Sequence, residues 1–187
     1  MKPDKLRPSS EAKLNALLKS AYDLARKSQY DQALEICDWL IEEKTTEVAG
    51  YRERAAIKEH MDDLDGAIGD LKEVISRFDK EPADFHALGL LLLQSGATTE
   101  AIEAFGQAIS LGEELENHYY TDSSYLFRAE ARLKLNDPEE ALVDVERLPD
   151  GYKAYVPGSG MRSKEDIATQ ANAALARRLQ AKAPRIK

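Results

Sequence analysis

Four alanines, Ala33, Ala67, Ala101 and Ala141, each open the same short apolar pattern; the first three stand 34 residues apart and the fourth follows after 40. A chain that repeats at such a period folds into units that bury their apolar faces only against one another. With the residue nineteen before each alanine as position one, the repeats span 14–47, 48–81, 82–115 and 122–155. Position four is large (Leu17, Tyr51, Phe85, Tyr125) and position eight small (Ala21, Ala55, Gly89, Ala129). Position 24 carries Cys37, Leu71, Phe105 and Val145, and position 27 carries Leu40, Val74, Ala108 and Leu148. The spacing within each half is the three-or-four step of an amphipathic helix. Small residues at positions eight and 20 let two helices approach closely, and bulky residues on either side fill the space between them.

Segments such as Tyr51-Arg52-Glu53-Arg54-Ala55 with Asp65-Gly66-Ala67-Ile68, and Tyr125-Leu126-Phe127-Arg128-Ala129 with Pro138-Glu139-Glu140-Ala141-Leu142, resemble the tetratricopeptide repeat (TPR) family. The resemblance implies an all-α fold: a right-handed α-solenoid of four TPR-like helix-turn-helix repeats, over residues 11–155, plus a C-terminal capping helix. Two departures accompany it: helix-favouring residues replace the usual proline at position 32, and repeat four trails off near Pro149-Asp150-Gly151. Turns are expected at Lys27-Ser28-Gln29, His60 to Asp63, Ser95 to Thr98 and Asn136-Asp137-Pro138, with Thr98 or Thr99 and Asp137 as helix N-caps. The glycines, proline and serine of 156–162 predict a loop, and Ser163-Lys164-Glu165-Asp166 a capping box that opens a helix over 163–182. That helix is expected to seal the last repeat. Residues 1–10 are polar and proline-bearing and are read as a mobile tail.

Charge narrows the partners. Residues 28–160 hold 12 Lys/Arg against 29 Asp/Glu, while 1–27 and 161–187 each carry seven bases against three and two acids. An acidic body repels nucleic-acid backbones and attracts basic proteins. No stretch approaches the roughly 18 apolar residues of a membrane span, and the first residues lack an apolar signal region, so the expected compartment is the cytoplasm. The single cysteine, Cys37, falls on an apolar helix face and reads as a buried, inert thiol.

In the TPR family the first helix of each unit lines a concave groove, and the resemblance carries that role to named positions here. Repeat one offers Leu18 and Tyr22; repeat two Arg52, Glu53 and Glu59; repeat three His86, Leu90 and Leu93; repeat four Leu126, Phe127 and Glu130. Packing of repeat three needs Leu88 and Leu92, which leaves Leu90 and Leu93 to face the groove beside Leu126 as an apolar patch, unless the superhelix closes tightly or the C-terminal helix or tail covers them. The Lys and Asn clamp by which chaperone-binding relatives hold a C-terminal carboxylate is replaced by Leu18, Tyr22, Glu53, Ala83 and Ala87. Binding of heat-shock chaperone tails is therefore not expected. The partner expected is a protein that is basic, meeting Glu53, Glu59 and Glu130, or that presents an amphipathic helix. The excess before repeat four holds His118, Tyr119 and Tyr120, which either anchor an interface or pack over the neighbouring repeat.

Catalytic signals are absent from the sequence. None of His60, His86 and His118 has a second ligand at metal spacing, and no phosphate loop, nucleophile elbow or dinucleotide fingerprint is present. No cofactor or metal is implied. The reading is a non-enzymatic interaction module, a scaffold or adaptor. The alternative is a dedicated inhibitor, such as a bacterial immunity protein neutralising a basic toxin, because 141–152 and 162–166 are similar to tails of small bacterial repeat proteins of that kind.

Overall fold

A computed structural model describes residues 11–78 and 80–182; the expected tail over 1–10 lies outside the described residues. The chain divides into two compact units, Met1–Asp79 and Lys80–Lys187, so the boundary falls between repeats two and three.

The first unit contains α1 (Glu11–Arg26), α2 (Tyr30–Glu42), α3 (Glu47–His60) and α4 (Leu64–Arg77), each packed on the next, with α1 also meeting α3. Ala21, Ala25, Ala33, Cys37 and Ile57 form a buried cluster, flanked by half-buried Leu24, Tyr30, Leu34 and Ile36. Here the small residues do what the spacing demanded, bringing α1 and α2 together. Cys37 is fully enclosed, and burial, with the neighbouring Glu53 and Asp38, pushes its thiol up to about 12.

The second unit contains α5 (Pro82–Ser95), α6 (Thr98–Glu114), a single 3₁₀ turn (His118–Tyr120), α7 (Thr121–Lys134), α8 (Pro138–Glu146), β1 (Lys153–Val156), β2 (Gly160–Ser163) and α9 (Lys164–Lys182). Two local expectations change here. Residues 153–163 form an antiparallel hairpin, pairing Ala154 with Arg162 and Tyr155 with Met161, where a loop was expected over 156–162. Gly158 and Gly160, at φ of 75° and 79°, supply the left-handed turn, and strict alternation puts Val156 inward. Neither Thr98 nor Thr99 caps α6: it starts at Thr98, whose hydroxyl donates to the carbonyl of Gly96. The Ser163 capping box does form, with the Asp166 amide donating to Ser163 Oγ at 3.1 Å and the Ser163 amide donating to Asp166 at 3.0 Å.

The turns inside the repeats share one device. Position 15 is left-handed in all four: Ser28 (φ 58°), Asp62 (63°), Gly96 (86°) and Asn136 (58°). Three of these turns close with the Schellman bond, from the amides of Gln29, Asp63 and Asn136's successor Asp137 to the carbonyls of Leu24, Lys58 and Arg132. Asp63 and Asp137 then cap the following helices through the amides of Gly66 and Glu140.

Candidate functional site

On α1 and α3 the anticipated binding residues are accessible. Tyr22 is 50% exposed with the Arg26 guanidinium 5.9 Å from its ring centre, Leu18 is half-buried, and Arg52 and Glu59 are exposed. Glu53 differs. Its carboxyl is half-buried, burial raises its pKa, and no cation lies within ion-pair distance of it among the described residues. A desolvated carboxylate without a counter-ion is most stable when an outside cation supplies one.

The second unit overturns most of its expected contacts. Leu93 is 3% exposed and Leu126 is fully enclosed, so the apolar patch reduces to half-buried Leu90. The physical reason is that α5 meets α6, the 3₁₀ turn and α7, which together cover more of it than positions seven and 11. His86 and Phe127 are also buried, in an aromatic cluster with Phe105 and Tyr120. Ring centres lie 5.9 Å (His86–Phe105), 5.5 Å (His86–Phe127), 4.9 Å (His86–Tyr120) and 5.7 Å (Phe105–Phe127) apart. His86 Nδ1 lies 2.9 Å from Ser124 Oγ, and burial lowers its pKa to about 4, which keeps it neutral. The insertion is thus divided: Tyr120 packs inward on His86, while His118 is exposed and Tyr119, edge-on to Tyr120, is 83% exposed.

Glu130 was expected to await a partner's cation. It is 6% exposed, and the cation is the chain's own Arg162, whose Nε lies 2.9 Å from Glu130 Oε2 and whose Nη2 donates to Gln170 at 2.7 Å. Near the other end of α7, Tyr152 lies against Asp122 and Ser123. The C-terminal hairpin therefore occupies Glu130, one of the α7 residues assigned to a ligand.

A second set of polar residues went unread in the sequence. Arg54 forks onto Asp70 (2.9 and 2.7 Å), reaches Asp38 at 2.6 Å and lies over Tyr51, while Lys58 adds a 2.8 Å ion pair to Asp70. Burial opposes ionisation of Asp70, but the hydrogen bonds from Arg54 and Lys58 outweigh it and hold the carboxyl below its usual range. Arg128, Arg132, Asp144 and Tyr125 repeat the arrangement at the same repeat positions, with Asp144 fully buried. The signal was present as Tyr-x-x-Arg-x-x-x-(Lys/Arg) with Asp 16 residues after the first arginine, in repeats two and four only. These groups pair with one another and lock helix pairs.

Among the described residues no group of three or more His, Cys, Asp or Glu could hold a metal, and no helix is long and apolar enough to cross a membrane.

No protein-family model and no curated protein matches the sequence. Solved structures do. The nearly identical TPR-like repeats of a kinesin light chain-like protein from Podosopora anserina are similar with a TM-score of 0.65 and 15% identity, over 93% of this chain and 92% of that one. MamA protein is similar with a TM-score of 0.58 and 16% identity, over 93% of this chain and 79% of that one. The chain thus has a TPR-like helical fold.

Proposed function

From a TPR-like array whose first two repeats expose side chains of their first helices among the described residues, we propose that this protein is a non-enzymatic interaction scaffold that holds a partner segment on the α1–α3 face. The observation that carries the reading is Glu53, a half-buried carboxylate with no cation in range among the described residues, on the helix that packs beside the one bearing exposed Tyr22 and half-buried Leu18. An aromatic side chain, an aliphatic one and an unneutralised acid together fit a helix or extended segment with an apolar residue flanked by Lys or Arg. The acid excess over 28–160 favours the same partner by attracting basic proteins at long range.

The test is affinity capture from the native cell with quantitative mass spectrometry, comparing the wild-type chain with Tyr22→Ala/Glu53→Lys. The variant is expected to lose the stoichiometric partner while keeping its helical circular dichroism. Equal capture by both proteins would sink the proposal. The acid excess also favours the dedicated-inhibitor reading, which is distinguished by what is captured: one basic enzyme, bound one-to-one and inactive in the complex, in place of a set of structural partners.

A further inference from the structure

We infer that the C-terminal hairpin is a releasable strap, an intramolecular occupant that holds the α7 face shut until a cationic protein segment competes for Glu130. The inference rests on the reading of first-helix faces as the partner surface and adds the regulation of one of them.

Position nine shows the covering best, since it is half-buried at Leu90 in repeat three and buried only at Glu130, whereas position five is already buried at His86. Position five is half-buried at Leu18 and exposed at Arg52, and position nine is exposed at Tyr22 and Ala56. On α7 the same positions are Leu126 and Glu130, both buried, and this is the helix on which β1 and α9 pack. The hairpin presents Ala154, Val156 and Arg162 inward, while Tyr155 and Met161 face solvent. Its one ionic hold on α7 is Arg162 on Glu130.

The manner of attachment favours release. A two-stranded hairpin is marginal by itself, so its order depends on docking. Its base is held by bonds outside the strands: the Lys164 amide donates to Tyr152 O at 2.9 Å, Lys164 Nζ reaches Leu148 O at 2.8 Å and Asp150 at 2.9 Å, and the Tyr152 side chain stays against Asp122 and Ser123 of α7. Beyond it, α9 is seated on α8, with Ile167 and Ala171 fully buried. Gly151, Gly158 and Gly160 sit at positive φ at the base and the tip. The strands can therefore lift as one piece while both flanks stay anchored. Lifting leaves Glu130 without its counter-ion, so the open state is rare until a ligand supplies a cation to that face. A cation from a ligand can take the place of Arg162 on Glu130 while water solvates the released guanidinium, an exchange that an all-aliphatic contact does not offer.

Two measurements on the full chain test this. In Arg162→Ala, amide exchange at 153–156 and 160–163 is expected to speed up by roughly tenfold or more, with α8 and α9 unchanged. Loss of protection in α7, α8 and α9 together with the strands would overturn the strap, because the hairpin would then be part of the core. In a second variant, residues 153–162 are replaced by a Gly/Ser run of equal length, and a synthetic peptide of residues 151–164 is titrated calorimetrically. Saturable binding to this variant, none to the wild type, and none of the peptide carrying Arg162→Glu are expected. A variant that binds no peptide while remaining helical, or one that does not fold, contradicts the inference. The peptide is this chain's own segment, so its binding is read independently of any outside partner on α1 and α3.

Discussion

Gly69 and Gly89 are both helix-interior glycines, yet they predict opposite outcomes. Nothing lies within 4 Å of a Cβ built on Gly69, so Gly69→Ala is expected to stabilise the chain by about 0.5–1 kcal/mol, the usual gain from restricting the unfolded backbone. A Cβ on Gly89 would sit 2.6 Å from Cε1 and 2.7 Å from Cδ1 of Phe105, a fully buried ring with nowhere to move. Overpacking there costs about 1–3 kcal/mol and outweighs the backbone gain, so Gly89→Ala should lower the urea midpoint. His86 adds a pH dependence whose sign follows from its depressed pKa. The unfolded chain takes up the proton near 6.5 and the folded one only at about 4. Stability is therefore full above about pH 6.5 and falls by roughly 3 kcal/mol as the pH drops to 4. His86→Gln should flatten this part of the profile in urea titrations; an unchanged slope would mean that the ring is not sealed. The small residue at position eight was legible because helix approach is a local, periodic requirement. The burial of His86 was not, because it depends on Tyr120 from an insertion that falls outside the period.

Between elements, the alternation of repeats is the main finding. Repeats one and three carry Ser20, Leu24 and Ile36, and Leu88, Leu92 and Ala104, at the positions where repeats two and four carry the Arg–Lys–Asp and Arg–Arg–Asp sets. Each unit thus joins one repeat packed by apolar contact to one locked by a buried carboxylate. Asp144, fully buried under two arginines, is the extreme case. Asp144→Ala leaves Arg128 and Arg132 without their shared anion, and a loss of about 3–5 kcal/mol is expected by chemical denaturation. Replacing all three by apolar residues should restore much of it, since unpaired burial carries most of the cost. The turns of 27–29, 60–63 and 136–138 were readable from their residues, because a left-handed position and a following N-cap favour Ser, Asn, Asp and Gly. The hairpin was not: its four-residue strands are too short for periodicity to distinguish from a loop, and they are ordered by docking on α7. For the same reason Glu130 was read as open: its covering, Arg162, comes from a segment 32 residues further along.

The whole molecule carries a net charge of −8, with its acids concentrated over 28–160. Association with a basic partner should therefore slow as ionic strength rises through the range where the Debye length falls from about 30 to about 8 Å. Stopped-flow rates at several salt concentrations would show this, and a salt-independent rate would exclude electrostatic steering. The proposed face lies on first helices, and exposure decides which of them can serve. In the first unit Tyr22, Arg52 and Glu59 are exposed beside half-buried Leu18 and Glu53, and in the second the chain's own hairpin is in place. The most direct measurement is hydroxyl-radical footprinting of the full chain with and without its captured partner. Protection is expected at Leu18 and Tyr22 on α1 and at the exposed side chains of α3, with α2 and α4 labelled as before. Protection confined to α2 and α4, with Tyr22 labelled equally in both states, would contradict the proposal that this face binds the partner.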